Sequence, residues 1–129
     1  MDNKKKIFII DDDSFLLDMY ALKFSNFGFE VTTALGPDIA LEKLRDGYVP
    51  DVILLDIVMP VMDGFELMET INKEKIAENV IKIILSNRGQ PSDVIRGESL
   101  GASGYIVKAS STPSDVIEKV KEIINKTKT

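Results

Sequence analysis

The chain has 129 residues, 44% apolar and 29% charged: enough for one folded domain with its own core, and too apolar for a disordered chain. A net charge of −5 disfavours direct nucleic-acid binding, and no apolar run is long enough to enter and span a bilayer. With no cysteine and no histidine there is no disulfide or thiolate nucleophile, and most catalytic triads and zinc sites fall away.

The N-terminal Met1-Asp2-Asn3-Lys4-Lys5-Lys6 lacks the apolar stretch of a signal peptide, so the expected location is cytoplasmic. Lys6-Ile7-Phe8-Ile9-Ile10 reads as a buried strand that stops at Asp11-Asp12-Asp13. Residues 14–27 form a helix whose inward stripe is Leu16, Met19, Tyr20, Phe24 and Phe27, ended by Gly28. Phe15 and Leu17 fall off that stripe, beside the acids, and suit docking by another protein. Residues 29–33 alternate as a strand near a sheet edge should. Pro37 opens a second helix and Gly47 stops it.

Val52-Ile53-Leu54-Leu55 is a continuous branched run that ends at Asp56 and is closed by Pro60, the pattern of a central parallel strand buried on both faces. Asp63 with Glu66 makes a capping box for a third helix. Residues 80–85 form another buried strand, ending at Ser86, and Pro91-Ser92-Asp93 opens a fourth helix. Residues 104–107 are a short last strand ending at Lys108. Thr112-Pro113-Ser114-Asp115 caps a fifth helix with Val116, Ile117, Val120, Ile123 and Ile124 inward.

Five βα units without a linker or repeat predict one domain over residues 1–129. It is an α/β fold with a parallel sheet and helices on both faces. The flavodoxin-like doubly wound (βα)5 order 2-1-3-4-5 sets strands 1 and 3 side by side at the switch point, where such sheets bind ligands. Asp11, Asp12 and Asp56 then converge in one cleft, with Ser86 and Lys108 opening onto the same side. An acid-rich helix start, favoured by the helix dipole, is the other reading of residues 11–13. Three close carboxylates repel one another, and a hard divalent cation such as Mg2+ relieves this. Carboxylate nucleophile, metal, ammonium and hydroxyl together are the parts for phosphoryl transfer to aspartate.

The motifs Ile9-Ile10-Asp11-Asp12-Asp13, Leu54-Leu55-Asp56-Ile57-Val58-Met59-Pro60 with Asp63-Gly64, Ile84-Leu85-Ser86, and Gly101-Ala102-Ser103-Gly104-Tyr105-Ile106-Val107-Lys108 stand in a shared order and spacing. On them the chain resembles the receiver domain of two-component response regulators, especially the single-domain chemotaxis type, over about residues 5–126. The resemblance implies that Asp56 accepts a phosphoryl group from a sensor histidine kinase or phosphotransfer protein. It implies Mg2+ on Asp12, Asp56 and the Val58 carbonyl, with Asp11 acting through water. Lys108 would neutralise the acyl phosphate, Ser86 would supply the moving hydroxyl, and Tyr105 would be the aromatic switch. The output face would be the fourth helix, the fifth strand and the fifth helix, toward an unnamed downstream protein or a phosphorylation-dependent homodimer. The domain would be a phosphoacceptor rather than an enzyme on a separate substrate.

Three positions depart from the family pattern. Ala109 replaces the usual proline after the lysine, and a cis bond before a non-proline residue costs about 2.5–4 kcal/mol, so a trans bond is expected. Val58 cannot orient a hydrolytic water, and Arg88 is long enough to shield the site; both bear on phosphoryl lifetime. A flavin-phosphate loop after strand 1 would be repelled by the three acids. The Gly-x-Gly-x-x-Gly turn of a nicotinamide enzyme is absent. An aspartyl-phosphate phosphatase would carry a second aspartate at position 58. The alternative that stays open is a receiver-like module that binds partners constitutively, with marginal phosphorylation.

Overall fold

Strand and helix alternate along the whole described chain, residues 4–127 of a computed structural model. The reading of the N-terminal segment falls partly on residues 1–3, which lie outside the described residues, as do residues 128–129. The strands are β1 (Lys6–Asp11), β2 (Glu30–Leu35), β3 (Val52–Leu55), β4 (Ile81–Ser86) and β5 (Gly104–Val107). The helices are α1 (Ser14–Asn26), α2 (Pro37–Arg45), α3 (Gly64–Glu74), α4 (Pro91–Ser99) and α5 (Pro113–Thr127). All strand pairs are parallel, in the order β2-β1-β3-β4-β5. This is the doubly wound flavodoxin-like arrangement that the βα alternation predicts.

β3 is central because all four of its residues are apolar and buried, so either pleat face can meet a helix layer. On one side Phe8, Ile53 and Leu55 pack with Leu41 of α2 and Phe65 and Met68 of α3. On the other, Ile7, Ile9 and Leu54 pack with Leu17, Tyr20 and Phe24 of α1 and with Val116 and Val120 of α5. Phe65 is fully buried, so truncating it to alanine removes about 3–5 kcal/mol of stability. The starts of α1 and α3 are satisfied by local side chains. Asp13 accepts from the N–H groups of Phe15 and Leu16, and Asp63 and Glu66 form the reciprocal box that their spacing predicts.

The face of α1 differs from expectation. Leu17, Tyr20 and Phe24 are buried, Leu16 and Met19 flank them half-buried, and Phe27 is 45% exposed. The line 17–20–24 has helical spacing just as good as the predicted stripe, and sheet docking selects it. Phe27 lies past the helix end, and the chain turns at Gly28 (φ 91°), so Phe29 takes the core position, edge-on to Phe24 at 5.1 Å. Leu17 is therefore core and not a docking residue; Phe15, 77% exposed, stays outside. β2 begins one residue later than predicted and runs on to Leu35.

No peptide bond among the described residues is cis, so Lys108–Ala109 is trans as expected, and the chain enters a 3₁₀ turn over Lys108–Ser110. Two lysines serve the framework. Lys82 is buried within β4, and its ammonium donates to the carbonyls of Ala77 at 2.8 Å and Val80 at 3.2 Å. Burial draws its pKa below the ordinary lysine value. Lys43 of α2 donates to the Thr33 carbonyl of β2 at 3.1 Å. No described helix is long and apolar enough to cross a membrane.

Candidate functional site

Asp11 is the last residue of β1, and Asp56 follows β3 directly; each is buried, while Asp12 is exposed. The Asp56 N–H donates to the Ile10 carbonyl at 3.1 Å, which carries the β1–β3 pairing one step further and fixes the two strand ends side by side. One carboxylate oxygen from each of Asp11, Asp12 and Asp56 lies within 4.8 Å of the others. Lys108 directly follows β5, and its Nζ donates to Asp11 Oδ2 at 2.9 Å and Asp56 Oδ2 at 3.0 Å. The second oxygen of each carboxylate takes a backbone donor: Asp13 N–H to Asp11 Oδ1 at 3.0 Å, and Val58 N–H to Asp56 Oδ1 at 3.1 Å.

Burial pushes the Asp11 carboxyl above its ordinary pKa, against the pull of the Asp13 N–H and of Lys108. Burial alone would lower Lys108, but the bonds and charges of Asp11 and Asp56 outweigh it and hold the ammonium protonated above its ordinary range. Three carboxylates against one ammonium leave two uncompensated negative charges at the mouth of the cleft. Clustered hard oxygen donors with that excess fit a divalent cation of the Mg2+ type.

The loop after β3 brings its chain close. Gly64 N–H donates to the Ile57 carbonyl at 2.8 Å, and a Cβ at Gly64 would lie 2.3 Å from the Asp56 carbonyl oxygen, so glycine is required there. Val58 turns its side chain out, 54% exposed. Val61 stands 99% exposed at φ 71°, spanned by a Met62 N–H to Pro60 carbonyl bond of 2.8 Å, a three-residue turn that is uncommon for a β-branched residue.

Thus the structure brings Asp11, Asp12, Asp56 and Lys108 into one cluster. Ser86 and Tyr105 are bonded to a different residue. Ser86 is fully buried, and its Oγ accepts the Arg88 N–H at 3.3 Å; the Tyr105 hydroxyl donates to the Arg88 carbonyl. The Arg88 guanidinium reaches Asp93 Oδ1 at 2.8 Å. Sequence reasoning considered Arg88 only as a shield and missed this partner, although an arginine three residues before a proline-led helix with an acid in its first turn was there to be read. A groove of about 490 Å3 lies at the opposite end of the sheet, lined in part by Lys5, Pro50, Asp51 and Ile81. The convergence of three carboxylates and an ammonium makes the cluster, not this groove, the candidate site.

Comparisons with known proteins establish the family and the fold. The family described as response regulator receiver domain matches residues 7–121. The chain is 32% identical over 123 residues to the phosphate regulon transcriptional regulatory protein PhoB of Rhizobium meliloti, covering 95% of this chain and 53% of that protein. It is also 32% identical over 127 residues to the probable transcriptional regulator ycf27 of Guillardia theta, covering 98% of this chain and 48% of the relative. The chain therefore spans about half the length of these curated relatives. Among solved structures, a CheY-like receiver domain protein from Methanospirillum hungatei superposes with a TM-score of 0.85 at 29% identity, covering 98% of both chains. The chemotaxis protein CheY4 of Vibrio cholerae gives 0.84 at 27% identity over 93% of this chain and 98% of its own.

Proposed function

This chain belongs to the response regulator receiver family of two-component systems, and from that premise we propose that Asp56 is its phosphoacceptor. The observation that carries the reading is the Lys108 ammonium held between Asp11 and Asp56 with the exposed Asp12 carboxylate beside them. The half-buried lysine and the two buried acids hold one another, and the pairing fixes the ammonium in place. As a site it supplies a fixed positive charge where phosphoryl oxygens would gather.

The donor is a phosphohistidine on a sensor kinase or phosphotransfer protein, or a small acyl phosphate. An Asp56 carboxylate oxygen attacks phosphorus, the bond from phosphorus to the donor breaks, and the donor leaves with the electron pair and takes a proton. Lys108 pairs with the charge on the transferred group, and the Val58 N–H keeps Asp56 oriented. Asp11, Asp12, Asp56 and the Val58 carbonyl would hold Mg2+, which when bound neutralises charge on the phosphoryl oxygens. Ser86 would donate its hydroxyl to the phosphoryl group, and Tyr105 would answer that movement as the switch. The domain modifies only itself, and its output passes to a partner protein or a second copy through α4, β5 and α5.

The test is incubation with acetyl phosphate and Mg2+, read by intact mass. One phosphoryl adduct is expected on the native chain and none on Asp56→Asn. An adduct of undiminished yield on Asp56→Asn would sink the assignment, and no adduct on either protein would favour the constitutive interaction module instead.

A further inference from the structure

Four contacts converge on Arg88, outside the carboxylate cluster. Its N–H meets Ser86 Oγ, its carbonyl accepts the Tyr105 hydroxyl, and its guanidinium pairs with Asp93 while lying 5.8 Å from the centre of the Phe65 ring. Asp93 is the buried partner, and its other oxygen accepts the Gln90 N–H at 3.3 Å, so the same acid starts α4. That helix buries little of its own surface. Only Asp93 and Gly97 of its nine residues are buried, and Ile95 is 67% exposed. Gly97 presses on Ile84 and Tyr105: a Cβ there would come within 2.6 Å of one and 3.5 Å of the other. α4 is attached through charged side chains and one close approach, where the other helices use an apolar face. Beside the Arg88–Asp93 pair, Arg96 lies 4.5 Å from the centre of the Phe65 ring and 4.0 Å from Glu69 of α3.

A half-exposed ion pair is weak, and a guanidinium binds a phosphoryl group through two parallel hydrogen bonds more strongly than it binds one carboxylate oxygen. The competing groups lie at the same end of the sheet: the Arg88 N–H is bonded to Ser86, the last residue of β4, and β4 pairs with β3, which Asp56 directly follows.

We infer that Arg88 is a positioning residue that exchanges partners. With Asp56 unmodified its guanidinium holds Asp93 and the first turn of α4; with a phosphoryl group on Asp56 it turns to that group and releases α4. This rests on Asp56 being the phosphoacceptor. The Arg88–Asp93 pair is thereby the element that couples the modified aspartate to one helix of the output face.

The test is hydrogen exchange of a peptide covering residues 91–99, with and without acetyl phosphate and Mg2+, while intact mass reports the adduct. The proteins are the native chain, Asp93→Asn, Arg88→Gln and Arg88→Lys, and a peptide over β3 reports global unfolding. In the unmodified state Asp93→Asn and Arg88→Gln should exchange in α4 roughly threefold faster than the native chain, with β3 unchanged, as breaking one half-exposed pair allows. Arg88→Lys, which keeps the charge, should stay near the native rate. Adduct formation should bring the native chain to the rate of the two variants and add nothing to theirs. Equal α4 exchange in all unmodified proteins overturns the inference, as does an equal increment on phosphorylation in the native chain and Arg88→Gln. An adduct-free native chain overturns the phosphoacceptor reading first, and the mass distinguishes that failure from the other two.

Discussion

Lys108 and Asp56 meet at 3.0 Å although 52 positions separate them in the chain. The sheet order explains the meeting: β4 lies between β3 and β5, so the carboxyl ends of all three open on one edge. Lys108→Met would leave two buried acids facing each other without their shared cation. Melting in EDTA should show a loss of about 2–3 kcal/mol, less than for a pair sealed from water. Mg2+ should restore part of that loss, and the yield of acetyl-phosphate adduct should fall at least about tenfold. An unchanged melting temperature in EDTA would mean that the ammonium does not stabilise the cleft.

Divalent metal should stabilise the native chain. A ligand that binds only the folded state adds about 2.7 kcal/mol at a hundredfold excess over Kd. At this chain length each kcal/mol raises Tm by about 3–5 °C. Asp12→Ala, which removes the exposed acid, should abolish most of the rise and leave the EDTA value equal to or above native. Identical melting of the native chain in Mg2+ and EDTA would count against the site.

Asp11 gives a pH signature. Its folded-state pKa is raised by burial, so its ionised form costs stability at pH above that raised value. The cost fades as pH falls through the raised value toward 3.8, where the carboxyl takes up its proton in both states. Without metal, Asp11→Asn should therefore melt higher than native at pH 7, with the gap closing on acidification. Thermal scans from pH 7 to about pH 4 check the sign; a gap that widens toward acid would reverse the assignment.

Gly64→Ala should be costly although its φ is ordinary. The added Cβ would stand 2.3 Å from the Asp56 carbonyl oxygen and 2.8 Å from the Ile57 Cα, both backbone atoms that cannot rotate away. A loss of about 1–3 kcal/mol in denaturant unfolding is expected, together with a reduced adduct yield because Asp56 itself must shift. Native stability in this variant would show that the loop after β3 has slack.

The sheet and the cluster were legible because the sequence writes both at strand ends. Val52-Ile53-Leu54-Leu55 leaves no polar face, and Asp11, Asp56 and Lys108 each break an apolar run where the strand stops. The α1 face was misread because Leu16 and Leu17 both continue a helical line to the aromatics, and only docking on β1 and α5 decides between them. Lys82 sits within an apolar run, and its carbonyl partners come from the loop before β4, which no spacing rule announces. The Arg88–Asp93 pair and the Tyr105 hydroxyl bond depend on how the β4–α4 loop folds back, a tertiary outcome rather than a local pattern.

The bond from Lys43 to the Thr33 carbonyl bears on how copies of this chain meet. Glu30 and Gly36 give their N–H groups to β1, so by alternation Thr33 faces away from the sheet, along the free margin of β2. An outward carbonyl on an edge strand is a template for another chain's backbone, and a lysine laid across it removes that acceptor and sets a charge in the path. At the other margin β5 is only four residues long before the 3₁₀ turn bends it off. Strand addition is thus discouraged at both ends of the sheet, and self-association is steered to side-chain surfaces that can be made and unmade without threading one backbone into another.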